Sequence, residues 1–233
     1  MAHIHYDFSL VVGSVIVAVL ACYFAVSIEQ SLFRGLGQKY EKTLLVISGC
    51  MLGAAIWCMH FVGMLACHLP ADYSFDYGLT FLSYVIAFIA STFAVWLTTR
   101  ATLPFLRLVL GAVLMGLGIA GMHYTGIMGL VIDHHKVYYD PLLVIFSVLI
   151  AISGSGLTFW LTFKYKNAVH KMLHIKASIA LMMALTIVAM HYTGMASAAF
   201  YSIGADQLVS NYKNGQGLIL FSIIFVSSLI LVA

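Results

Sequence analysis

Charge is the first thing this chain lacks. Only 8% of its 233 residues are Asp, Glu, Lys or Arg, while 63% are hydrophobic. Soluble domains carry about a quarter charged residues, so a soluble globule is excluded. A cysteine framework is missing too. The four cysteines (Cys22, Cys50, Cys58, Cys67) lie in or at the end of apolar runs, with no Cys-x-x-Cys zinc spacing, and read as small hydrophobes. No basic n-region precedes the first apolar run, since the chain opens Met1-Ala-His-Ile-His-Tyr-Asp; that run is expected to stay as a membrane span. The net charge of +3 says little by itself, and nucleic acid is not an expected partner.

What is present is a series of long apolar runs. Seven are long enough to cross a bilayer, which takes about 20 residues per helix. They fall near 8–28, 43–67, 77–99, 108–132, 141–163, 177–200 and 216–233. Lone strands cannot span lipid with unpaired backbone groups, so the fold class expected is all-α integral membrane with seven transmembrane helices. Nine of the eleven Lys and Arg fall on one side, in the connectors holding Arg34, Lys39 and Lys42, Arg100 and Arg107, and Lys164, Lys166, Lys171 and Lys176. Lys136, Lys213 and six Asp fall on the other. The positive-inside rule then predicts the N-terminus outside and the C-terminus in the cytoplasm.

The chain repeats itself. Tyr6-Asp7, Phe75-Asp76 and Tyr139-Asp140 each open an odd-numbered span, and a serine follows each Asp at seven residues (Ser14, Ser83, Ser147). Ala18, Ala87 and Ala151 fall in the same register, as do Cys22, Ser91 and Ser155. The unit is a helical hairpin used three times, at about 6–67, 75–132 and 139–200. The seventh span stands alone and resembles the first half of a fourth unit, because Gly217, Leu218 and Ser222 match Gly78, Leu79 and Ser83. The repeated Asp is expected to be an N-cap; Pro141, at the first helical position of the third copy, suits that. A supporting carboxylate near the motif described next is the alternative reading.

Each even-numbered span carries a Met-His phrase: Met59-His60-Phe61-Val62-Gly63-Met64, Met122-His123-Tyr124-Thr125-Gly126-Ile127 and Met190-His191-Tyr192-Thr193-Gly194-Met195. With a rise of about 1.5 Å per residue, each His lies roughly 10–14 Å below the outer end of its helix. Three copies inserted in one sense suggest a pseudo-threefold axis along the membrane normal that lets His60, His123 and His191 meet. His and Met at i and i+4 share a helix side, and the glycine three residues after each His admits a close neighbour. One such pair is ordinarily packing, but three at matched depth point to function. Imidazole with thioether suits copper, Cu(I) above all, better than zinc or magnesium. Non-covalent haem is the next candidate, since no Cys-x-x-Cys-His is present. Tyr124, Thr125, Tyr192 and Thr193 are expected to orient ring nitrogens. His3, His5, His68 and the His134-His135 pair are weaker candidates for a metal at the outer face, and His170 and His174 belong to a basic stretch suited to anionic lipid.

These phrases, the basic inner connectors and the aromatic-Asp pairs resemble the MHYT domain, a seven-span bacterial sensor, over residues 1–233. The resemblance implies a bacterial inner-membrane sensor that binds copper and responds to oxygen, carbon monoxide, nitric oxide or the metal itself. The ligands it implies are Met59, His60, Met64, Met122, His123, Met190, His191 and Met195. Copy one has Phe61-Val62 for Tyr-Thr and copy two has Ile127 for the last Met, with Met128 adjacent, so a shared site led by the histidines is expected. The resemblance also implies a cytoplasmic output, of the cyclic-di-GMP kind, further along the same full-length chain, to which 216–233 would link. The sequence ends inside that apolar run, as a sensor cut from a longer protein would. The expected partners are the bilayer, a metal ion, a diatomic gas and that output domain; a homodimer is admissible. No enzymatic activity is expected of this chain itself. The main alternative is an intramembrane zinc-dependent hydrolase built on the three His, the outer Asp and Ser14, Ser83 and Ser147. It ranks lower because the serines do not lie beside the phrase in sequence and methionine adds nothing to zinc hydrolysis. A transporter is the third reading, weakened by the lack of paired intramembrane charges.

Overall fold

Six of the apolar runs form long helices: α1 (Phe8–Phe33), α2 (Glu41–Leu65), α3 (Tyr77–Thr98), α4 (Phe105–Met128), α5 (Pro141–Lys164) and α6 (Leu173–Ser197). The structure is a computed structural model that describes residues 5–33, 41–68, 73–100, 102–132, 135–165 and 172–202. The expected seventh span at 216–233 lies outside the described residues, as do His3, His134 and His170. All six helices are long and apolar enough to cross a membrane. Their outward faces carry bare apolar side chains such as Phe81, Ile89, Leu106, Leu114, Leu142 and Leu149, a surface that suits hydrocarbon. The result is an all-helical membrane bundle.

The even helices do not run as far as expected. The apolar runs predict spans that include residues 66–67, 129–132 and 198–200; instead α2, α4 and α6 stop at Leu65, Met128 and Ser197 and the chain turns into strands. The strands are β1 (His5–Tyr6), β2 (Cys67–His68), β3 (Tyr73–Phe75), β4 (Leu130–Ile132), β5 (His135–Tyr139) and β6 (Ala198–Ser202). They pair antiparallel as β1–β2, β3–β4 and β5–β6, with Tyr6 opposite Cys67, Phe75 opposite Leu130 and Tyr139 opposite Ala198. An apolar run such as Leu130-Val131-Ile132 reads equally well as a helix end or a strand. What decides it is a partner strand more than fifty residues upstream.

Each repeat unit is therefore strand, helix, helix, strand, closed by its own ribbon. The backbone N–H of Asp7, Asp76 and Asp140 donates at 2.8 Å to the carbonyls of Ala66, Gly129 and Ser197, where the even helix of the same unit ends. The three carboxylates are N-caps, as the sequence predicts. Asp7 accepts from the amides of Ser9 (2.8 Å) and Leu10 (3.3 Å), Asp76 from Leu79 (2.8 Å), and Asp140 from Leu142 (2.8 Å) and Leu143 (3.3 Å).

The units close into a ring. α1 packs on α2, α3 on α4 and α5 on α6 within units, and α2 on α3, α4 on α5 and α6 on α1 between them. α2, α4 and α6 also touch one another across the axis. The in-register serines, alanines and Cys22 of the odd helices are all buried, forming a stripe of small side chains that admits the even helices. The closest approaches use glycine: a Cβ on Gly53 would stand 2.8 Å from Cα of Phe88, and one on Gly116 would stand 2.6 Å from Cα of Ile152.

Candidate metal centre

His60, His123 and His191 meet on the axis. Their Nδ1 atoms lie 3.0 Å (His123–His60), 3.2 Å (His60–His191) and 3.3 Å (His191–His123) apart. The rings stand nearly perpendicular, with interplanar angles of 82°, 82° and 87°. All three are fully buried. Among the described residues no carboxylate or cysteine joins the cluster.

The ring is held from outside by glycine. His60 faces Gly126, His123 faces Gly194 and His191 faces Gly63, so each imidazole leans on the phrase of a neighbouring unit. A Cβ on any of these glycines would stand within 2.8–2.9 Å of the facing Cδ2 and collide with Nε2. None of the three Nε2 atoms has a hydrogen-bond partner within bonding geometry.

Hydrogen bonding alone cannot satisfy three converging Nδ1 atoms. A neutral imidazole nitrogen is either a donor or an acceptor. Three nitrogens sharing two roles leave at least one like pair, either two lone pairs or two N–H groups face to face. In a buried, low-dielectric site that pair is costly. A cation taking all three lone pairs removes the conflict. Nitrogens bound to one ion at about 2.0–2.1 Å stand roughly 3.3–3.6 Å apart. The observed spacings need an opening of only a few tenths of an ångström. The donor set fits a metal.

The other implied ligands are buried around the triad. Met59, Met122 and Met190 immediately precede the histidines, while Met64 and Met195 lie one turn beyond on the ribbon side. Ile127 takes the equivalent place in copy two. Met128, its neighbour, is 65% exposed and does not substitute for the missing sulfur. The triad itself is three imidazoles, with two buried methionines about one helical turn along on the ribbon side.

The repeated features of the odd helices turn out to hold the phrase residues of the adjoining even helix. The Tyr192 hydroxyl bonds Ser14 (2.9 Å) and that of Tyr124 bonds Ser147 (2.7 Å). In copy one, where Phe61 has no hydroxyl, Trp57 Nε1 donates to Ser83 (3.0 Å). The aromatics before each Asp pack edge-on against the ring after each His: Tyr6 on Tyr192, Phe75 on Phe61, and Tyr139 on Tyr124, with centroids 5.2–5.7 Å apart. Burial pushes the hydroxyls of Tyr6 and Tyr139 up to about 12, so both stay protonated at neutral pH. Two expectations are corrected here. The serines do stand beside the phrase, brought there by the neighbouring unit. The hydroxyls of Tyr124 and Tyr192 reach serine, not a histidine nitrogen. Register in the repeat carried the signal, since Ser at Asp+7 and Tyr at His+1 recur together.

Of the remaining histidines, His5 and His68 pair across the first ribbon and His135 lies in the third. His174 begins α6 at the far end.

Comparison with known proteins agrees with this architecture. The family profile described as "Bacterial signalling protein N terminal repeat" (MHYT) matches residues 53–111 and 116–174, just over half the chain. The bifunctional diguanylate cyclase/cyclic di-GMP phosphodiesterase MucR of Pseudomonas aeruginosa is 44% identical over 84% of this chain and 28% of its own length. The cyclic di-GMP phosphodiesterase NbdA of the same organism is 38% identical over 82% and 24%. The signaling protein YkoW of Bacillus subtilis is 30% identical over 85% and 25%. The chain spans about a quarter of the length of these curated relatives. No solved structure matches it. With two tandem copies of the profile laid on a threefold bundle whose phrases meet at its axis, the chain belongs to the MHYT family, the N-terminal repeat of bacterial signalling proteins.

Proposed function

We propose that this chain is the membrane sensor of a cyclic-di-GMP signalling protein and that His60, His123 and His191 hold a single copper ion. The observation that carries the proposal is the convergence of three Nδ1 atoms with one role too few to share. Copper is favoured over zinc on charge. The site offers only neutral donors, and the cost of an ion in a low-dielectric site rises with the square of its charge. Monovalent copper meets imidazole and thioether at the least cost. Met64 and Met195 complete the donor set on the ribbon side, with Met59, Met122 and Met190 packed around it. When bound, the metal supplies a coordination position that a diatomic gas (oxygen, carbon monoxide or nitric oxide) can occupy; otherwise its own arrival is the signal.

The chain's residues convert occupancy into shape. Drawing the three nitrogens onto one ion sets their spacing, and each imidazole is seated against a glycine of another unit. A change at the triad is therefore a change in how the three units pack. The basic end, with Lys42, Arg100, Arg107, Lys164 and Lys176, faces the cytoplasm by the positive-inside rule, which places the ribbons outside the bacterial inner membrane. The apolar run at 216–233, expected from the sequence to be a seventh span, would carry the change to a cytoplasmic output. Because the named relatives MucR and NbdA are cyclic di-GMP enzymes, that output is of the same kind.

The test is elemental analysis and absorption spectroscopy of the purified protein from copper-replete cells, beside His123→Ala. Near-stoichiometric copper in the wild type and none in the variant is expected. An empty wild-type site after copper-replete and haem-replete growth would remove the proposal. Zinc in its place would favour hydrolytic chemistry.

A further inference from the structure

A cavity of about 30 Å³, measured at the centre of a water-sized sphere, lies under the triad on the side of the basic end. One water needs roughly 10–15 Å³ on that measure. Its wall nearest the histidines is Ile56, Ile119 and Ile187, and the next layer is Leu52, Met115 and Met183. These stand four and eight residues before His60, His123 and His191, so they lie roughly 6 and 12 Å along the helices from the imidazoles. Each even helix contributes one residue to each layer. The cavity therefore reaches the pseudo-threefold axis beneath the converging nitrogens, and it extends sideways to Ala94 of α3 and Phe159 of α5.

Most of its wall is apolar. Hydroxyl residues stand only on the α5–α6 wall, as Ser155, Thr158 and Thr186; Thr186 is already bonded to the Met182 carbonyl (2.9 Å) and Thr158 has no partner. A buried water needs two to four polar partners, whereas an apolar cavity stays dry and takes apolar guests. A void forfeits dispersion contacts along its apolar walls, and this one lies one helical turn from the histidine triad.

We propose that this cavity docks a small apolar molecule, of the size and polarity of a diatomic gas, and presents it to the triad through the isoleucine layer. The proposal draws its purpose from the reading of the triad as a metal centre, but the occupancy of the cavity does not depend on metal.

Xenon is the probe. Crystals of the protein under xenon pressure should show an anomalous peak enclosed by Ile56, Ile119 and Ile187. Ala94→Leu, which fills the side wall, should lose that peak while keeping the copper content of the wild type. Thr158→Val, which conserves volume and removes the unpaired hydroxyl, should keep the peak. No xenon in the wild type, or ordered water in its place, overturns the proposal, as does xenon persisting in folded Ala94→Leu. Should that variant not fold, the wild-type result decides. Xenon in a metal-free protein sustains the cavity and removes the metal reading; copper without xenon does the reverse.

Discussion

The first unit and the other two reach the same arrangement by different chemistry. In units two and three, the tyrosine after the histidine bonds the repeated serine of the neighbouring odd helix, Tyr124 to Ser147 and Tyr192 to Ser14. Unit one has Phe61 at that position, and Trp57, four residues earlier on the same helix side, supplies the donor to Ser83 instead. The two rings pack together with centroids 4.7 Å apart, so Trp57 and Phe61 divide between them what one tyrosine does elsewhere. The serine stays fixed while its partner changes. What the fold requires is a clamp between neighbouring units beside each histidine, and the particular side chain that closes it is free to vary. The histidines and the glycines that seat them are not varied.

That contrast can be tested from its strongest point downward. His60→Ala, His123→Ala and His191→Ala should each abolish copper binding to the same degree, because the three nitrogens act as one donor set. A variant that kept near-wild-type copper by elemental analysis would break the equivalence. Gly126→Ala places a methyl against the His60 ring and should lower stability by about 1–3 kcal/mol, as overpacking does, with reduced copper. Gly13→Ala, where a Cβ meets nothing within 4 Å, should be nearly silent in the same thermal unfolding assay in lipid nanodiscs. At the clamps, Tyr192→Phe and Trp57→Phe should each cost about 0.5–1.5 kcal/mol, the usual worth of one hydrogen bond. Phe61→Tyr in the Trp57→Phe background should recover part of that loss if the two positions are interchangeable. The smallest effect concerns Asp7. Its carboxyl is held below the usual range, chiefly by the Ser9 hydroxyl and then by the amides of Leu10 and Ser9. A depressed folded value contributes stability above the unfolded value of 3.8, and that contribution is lost as the pH falls through the folded value. Asp7→Asn should remove that contribution, lowering stability slightly at neutral pH and flattening the stability curve in the acid window.

Much of this was legible from residues alone because the chain says it three times. The spacing of Met-His phrases placed the imidazoles at one depth, and repetition in one orientation implied the axis on which they meet. The N-capping Asp residues were readable for the same reason. The ribbons were not, since Leu130-Val131-Ile132 and Ala198-Ala199-Phe200 are as apolar as the helices they follow and only their distant partners make them strands. The clamps were half visible: Ser14, Ser83 and Ser147 stood out as a register, but that each serves a different unit's tyrosine or tryptophan is a property of ring closure. The exposure of Met128 depended on which way the last turn of α4 faces. The cavity could not be read at all, because it is made by what five helices leave unfilled.

The handing of each imidazole to another unit's glycine has a consequence for where such a protein can come from. A solitary strand–helix–helix–strand block owns one histidine and one seat, and they belong to different contacts, so by itself it completes neither. Two blocks in tandem would leave the circle open at one joint. An ancestor bearing one block would have had to assemble as a cyclic trimer through head-to-tail interfaces, and gene triplication would then have written that trimer into a single polypeptide.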